Sequence, residues 1–208
     1  MTRWFLQGLV AISSLASAAV AVPVGCNRLD LVLDPRLSPG AVERAWASGQ
    51  PRSEVPAILE LRGCSGELLD RLTLDAPLAR LDPTPLRGAP APTYLVSMDL
   101  TAPAGSYSGP LTRLVQVSKG ALQRVAATDA HGQRKPIRLA LTEKAAWKRV
   151  RAGAADDLLS ISCQPQGEGF VIFYYRYHPT HLGWQVRVRS EPGFWESDND
   201  FPEPDRFR

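Results

Sequence analysis

His178-Pro179-Thr180-His181 places two imidazoles three residues apart. Both could reach one transition metal if a carboxylate of the acidic C-terminal stretch supplied a third ligand. Zinc motifs set their histidines on one helix face or add cysteines at fixed spacing, and neither pattern occurs here. The segment reads as a polar turn between two strands, so no metal is assigned, and His178 and His181 stand as its only candidate ligands. Glu196-Ser197-Asp198-Asn199-Asp200 has the oxygen density that calcium favours, but it lacks the ordered acidic frame and sharp Gly turn of an EF-hand. Gly105-Ser106-Tyr107-Ser108-Gly109 puts a tyrosine where a hydrolase elbow needs its serine. His131, His178 and His181 are the available bases for a Ser-His-Asp arrangement, and no spacing singles out a set. Cys163 alternates with Ser160 and Ser162 on the side of Leu159 and Ile161, where a buried thiol stays protonated. No catalytic residue and no cofactor follow from these motifs.

Tyr175, Tyr177, Arg187 and Arg189 are of the types enriched at binding hot spots. They lie on two strands predicted to pair, and a suitable register would bring them onto one face. This Tyr/Arg surface is the sequence's candidate contact site.

The elements that must position these groups are mostly strands. Leu29, Leu31 and Leu33 alternate with Arg28, Asp30 and Asp34, and Ala57, Leu59 and Leu61 resume the same period. Between them Ser38-Pro39 opens a short helix with Val42, Ala45 and Trp46 on one face, which Gly49 and Pro51 end. A turn at Gly63–Gly66 leads into a strand over 68–74. Residues 75–92 are rich in Pro and read as a connector or edge wrap, with Leu78, Leu81 and Leu86 able to pack. Beyond it come strands over 94–100, 111–117 and 122–127, the last two joined by a tight turn at Ser118-Lys119-Gly120. A strand is predicted over 137–141, and a second short helix over Thr142–Val150, carrying Trp147. Residues 159–163 alternate as a strand. The hairpin 170–177 with 182–188 is the strongest pairing signal in the chain. The segment 191–208 interleaves acids with Phe194, Trp195, Phe201 and Phe207, which predicts rings docked on a sheet rather than a free tail. The expected fold is mainly β, an antiparallel sandwich or curled sheet with one or two short helices. It forms a single domain over 26–208, with a sub-boundary in 75–92.

Residues 1–25 read as a signal segment. Arg3 precedes an apolar, Ala-rich run from Trp4 to Ala21, and Ala19-Val20-Ala21 matches an A-x-A cleavage site. Val24-Gly25-Cys26 is a partial lipobox with Pro23 where a Leu is expected, so lipidation of Cys26 is the lesser alternative. Export makes the three cysteines candidates for pairing. Antiparallel pairing of the first two strands would bring Cys26 and Cys64 to the same end, leaving Cys163 as a buried free thiol.

The formal net charge is +3 with no dense Lys/Arg block, which argues against nucleic-acid binding. Of the 24 basic residues only Lys119, Lys135, Lys144 and Lys148 are lysines, a bias typical of GC-rich bacterial genomes. The expectation is a periplasmic or extracellular protein that works by contact, binding a protein or a cell-envelope component. It touches a membrane only if Cys26 is lipidated or the leader is retained. An inhibitor or immunity-type partner of an exported enzyme is one alternative. A small metal-dependent or Ser/His hydrolase is the other.

Overall fold

The computed structural model describes residues 20–48, 54–99 and 105–208. Residues 1–19 of the expected leader, the helix stop at Gly49 and Pro51, and Leu100 lie outside them. The protein is mainly β, with three sheets and one short α-helix among the described residues.

The first sheet contains β1 (Val20–Val24), β2 (Asn27–Val32), β3 (Ile58–Arg62) and β4 (Leu68–Thr73) in chain order, all antiparallel. Leu29 lies opposite Leu61 and Leu31 opposite Leu59, and all four are buried on one face. Period two turns Asp30 and Glu60 to the other face, directly opposite each other. Arginines offset that repulsion: Arg28 lies 2.8 Å from Asp30, and Arg71 lies 2.7 Å from Glu60. Helix α1 (Pro39–Ser48) connects β2 to β3. Ser38 caps it, its Oγ accepting a 3.2 Å hydrogen bond from the Ala41 amide, with Pro39 at the first helical position. The β1–β2 and β3–β4 turns fall at one end of the sheet, and there Cys26 and Cys64 form a disulfide with Cα atoms 5.0 Å apart. Cys163 is free and buried.

The second sheet is built from β5 (Ala79–Leu81), β6 (Thr93–Asp99), β7 (Pro110–Ser118), β8 (Ala121–Arg124) and β11 (Leu139–Ala140). Its order is β11-β7-β6-β5, and β8 hairpins onto β7. Lys119 and Gly120 both have positive φ (52° and 75°), the left-handed pair that lets a two-residue loop follow the strand twist. Strand β6 is largely buried on both faces, with Tyr94, Val96 and Met98 on one and Thr93, Leu95 and Asp99 on the other. Tyr94, Val96 and Met98 meet Leu29, Leu31, Leu59 and Leu61 of the first sheet, while Leu95 and Leu114 meet the third. Within the Pro-rich connector Leu78, Leu81 and Leu86 are buried, and β5 forms the sheet edge.

The third sheet runs β10 (Arg134–Pro136), β9 (Ala126–Thr128), β15 (Gly183–Pro192), β14 (Gly169–Thr180), β13 (Ala155–Gln166), β12 (Ala145–Ala152). All its pairings are antiparallel except β15 with β9. Its inner face places Leu158, Tyr177, Trp184 and Val186 against Leu95, Leu114 and Leu139. Its outer face carries Leu159, Ile161, Cys163, Ile172 and Tyr174, covered by Trp195, Phe201 and Phe207 from the C-terminal segment. Phe207 closes a final 3₁₀ turn (Pro204–Phe207) and meets Tyr174 edge to face at 5.4 Å.

One expected element is corrected. Thr142–Val150 is not a helix: Ala145–Ala152 is strand β12, paired with β13 from Ala145↔Ser162 to Ala152↔Ala155. Its alanines and basic residues suit a helix locally, but eight ladder pairs with a long neighbouring strand override that preference.

Candidate functional site

The β14–β15 register decides what the candidate surface can be. Thr180 pairs with Gly183, so the loop is the two residues His181-Leu182, and Tyr175 falls opposite Val188 and Tyr177 opposite Val186. Arg187 falls opposite Arg176, and Arg189 opposite Tyr174. Tyr175 and Tyr177 therefore face the second sheet while Arg187 and Arg189 face outward. The four residues do not share a face, and the single Tyr/Arg surface becomes two separate sites.

On the inner face Phe173, Tyr175 and Tyr177 form a ladder of rings, with centroids 6.2 Å apart at each step. Beside it a cleft of about 380 Å³ opens between the third sheet and the β10–β11 segment. Leu111, Pro136, Ala140, Val186 and Val188 supply its apolar walls. Ser160, Ser162, Gln164 and the two tyrosines supply polar groups, and Lys135 and Arg138 stand among the lining side chains. Burial holds the Tyr177 phenol far above its ordinary range. Burial also raises Tyr175, with Ser162 and Lys135 offsetting part of the effect. Both phenols are thus neutral O–H donors at physiological pH. The Ser162 hydroxyl is buried and makes no hydrogen bond of good geometry. Lys135 is paired with Asp129 at 2.8 Å, whereas Arg138 has no ion-pair partner among the described residues.

On the outer face Asp157 is 2% exposed and is shared by Arg176 and His178. Arg176 Nε donates to it at 2.6 Å, and His178 Nδ1 lies 2.5 Å from its other oxygen. A carboxylate partner places the proton on Nδ1 and leaves Nε2 for another contact. Arg176, His178, Gln185 and Arg187 line a second, smaller concavity of about 200 Å³.

No family model, curated protein or solved structure matches this chain. The chemistry of the two sites has to be argued from their own atoms.

In geometry the His178–Asp157 contact matches the orienting half of an acid–base pair. Among the described residues no hydroxyl or thiol hydrogen-bonds His178, and Cys163 lies in the core beneath the C-terminal segment. His131 sits in the exposed β9–β10 turn and His181 in the exposed β14–β15 loop. No group of three or more His, Cys, Asp or Glu close enough to hold a metal occurs among the described residues. Glu196 instead lies 2.8 Å from the Lys144 ammonium, which also sits over the Phe194 ring.

Sequence reasoning missed Asp157, Arg176 and Gln185 on one face, and Ser160, Ser162 and Arg138 on the other. The alternation of Ser160 and Ser162 with Leu159, Ile161 and Cys163 was visible, but it suggests serines facing water. The apolar side of β13 is covered by the C-terminal segment, and the serine side looks into the cleft.

Proposed function

We propose that this is an exported, non-enzymatic binding protein whose inner-face cleft takes an amphipathic component of the cell envelope, with an apolar body and an acidic group. The observation that carries the reading is the cleft itself. Apolar walls surround a convergent set of donors from Ser160, Ser162, Gln164 and Tyr175, and Arg138 stands among them with its charge unmet. An acyl or aromatic body fits the walls, and a carboxylate fits Arg138.

Export is supported by the apolar run Trp4–Ala21 and by the Cys26–Cys64 disulfide, a bond that persists in oxidising compartments. Strand β1 bears on where the leader ends. Val22 is 2% exposed in the core shared by the first two sheets, so cleavage after Ala21 keeps it. Processing at Cys26 would remove β1 and consume the sulfur bonded to Cys64. Soluble export is therefore favoured over lipidation. Intact mass of the secreted protein under non-reducing conditions should show a chain starting at Val22 with one disulfide. An acylated Cys26 would overturn this part.

The cleft is tested by calorimetry with decanoate, using decanol as the uncharged control. Decanoate should bind more tightly than decanol. Arg138→Ala should remove that difference, and Ser162→Leu should fill the cleft and abolish both. No decanoate binding, or binding indifferent to both substitutions, would overturn the assignment.

A further inference from the structure

We infer that the outer-face concavity between β14 and β15 is a second site, which binds a phosphate group. Elsewhere in this chain four pairs of converging arginines are each bridged by one carboxylate. Asp75 bridges Arg113 and Arg124, each at 2.9 Å. Asp156 bridges Arg87 and Arg149, each at 2.6 Å. Glu60 bridges Arg62 and Arg71, and Glu191 bridges Arg189 and Arg206. Arg176 and Arg187 have no such bridge. They sit directly opposite each other across the ladder, an arrangement that is destabilising for like charges. Asp157 is occupied by Arg176 Nε and His178 Nδ1, and Arg187 has no ion-pair partner among the described residues. With Arg176, Arg187 and Asp157 counted, the cluster carries one net positive charge before any proton on His178. An exogenous anion takes the place the missing carboxylate holds elsewhere.

The donors argue for a phosphate rather than a carboxylate. Asp157 takes only Nε of Arg176, which leaves both of its Nη groups. Arg187 adds a second guanidinium fork, Gln185 an amide NH₂ and His178 its Nε2 edge, all lining about 200 Å³. Donors from two strands around a concavity match the several oxygens of a tetrahedral dianion better than one planar carboxylate. The site lies on the face opposite the inner cleft and does not depend on what that cleft binds.

The test is calorimetric titration of the full chain with inorganic phosphate. A parallel sedimentation arm uses vesicles of phosphatidylcholine with and without phosphatidic acid. Arg187→Ala should weaken phosphate binding by roughly tenfold or more, in line with loss of a charge-assisted contact. Arg187→Lys should recover part of the loss. Arg189→Ala, one alternation along the same strand, should leave binding unchanged. Saturable binding with this pattern supports the site and makes a soluble phosphate its source. The same pattern confined to phosphatidic acid vesicles supports the same chemistry and makes a lipid headgroup the source. No binding in either arm, or equal losses in Arg187→Ala and Arg189→Ala, would overturn the proposal.

Discussion

Asp156 and Asp157 are neighbours in the chain, yet they work on opposite faces of β13. Asp157 turns outward to Arg176 and His178. Asp156 turns inward and joins the Pro-rich connector to the third sheet, accepting from the Arg87 amide at 2.9 Å and from the guanidinium groups of Arg87 and Arg149. Burial alone would raise the Asp156 carboxyl. Its hydrogen bonds with Arg87, and then Arg149, outweigh that and hold it well below the usual carboxylate range. A carboxyl depressed in the folded state adds stability that is complete above its unfolded value of about 3.9 and is lost as pH falls toward the folded one. The protein should therefore lose this contribution below about pH 4. Asp156→Asn should cost about 2–4 kcal/mol in denaturant unfolding at pH 7 and should flatten the acid limb of a stability-versus-pH curve. An unchanged acid limb in that variant would show that other carboxylates govern it.

At the scale of elements, the disulfide and the C-terminal segment each hold something in place. The bond joins residues 38 apart, so chain-entropy reasoning gives about 4 kcal/mol for closing that loop. Replacing both Cys26 and Cys64 by Ala should lower the unfolding free energy extrapolated to water by about that amount, with a steeper denaturant slope because the unlinked denatured chain exposes more surface. In the C-terminal segment Trp195 and Phe207 are buried, worth about 3–6 kcal/mol together before the cost of ordering the segment. Truncation after Pro192 should lower the Tm and expose the Cys163 thiol to a disulfide reagent that leaves the folded full chain unmodified. Retained Tm and an unreactive thiol would mean that the segment covers nothing that matters.

The same scale shows what could be read in advance. Strict alternation at Leu29–Leu33, Tyr94–Met98 and Leu159–Cys163 named real strands, because one side of each is apolar enough to specify its face. The Cys26–Cys64 bond followed from two turns at one end of an antiparallel pair. Strand β12 was misread because Ala145, Ala146, Lys148 and Arg149 favour a helix when no partner strand is considered. The Tyr/Arg surface failed on parity. A two-residue loop pairs odd positions of β14 with even positions of β15, so Tyr175 and Arg187 must part, and a longer loop would have left that open. The arginine cluster needs three strands in register and is invisible to any single window of sequence.

At the scale of the molecule, three sheets stack in series and the middle one packs apolar side chains against both neighbours. Strand β6 meets the first sheet with Tyr94, Val96 and Met98, and the third with Leu95. The two apolar cores therefore share a wall, and loss of either outer sheet wets it. Heat or denaturant should unfold the described body in one transition, followed identically by tryptophan fluorescence and far-ultraviolet circular dichroism. Two separated transitions would show that the cores melt independently.

That shared wall also has a history in every newly made copy. The chain is delivered amino end first, and the first sheet can cover one side of the β5–β8 ribbon almost at once. The other side, with Leu95 and Leu114, waits for β13 to β15, which are the last long strands to arrive. During that interval a half-built molecule shows a greasy flank and an open strand edge to its surroundings. The vulnerable moment in this protein's life is thus its birth, and a holdase that shelters aliphatic side chains is the helper its yield would respond to.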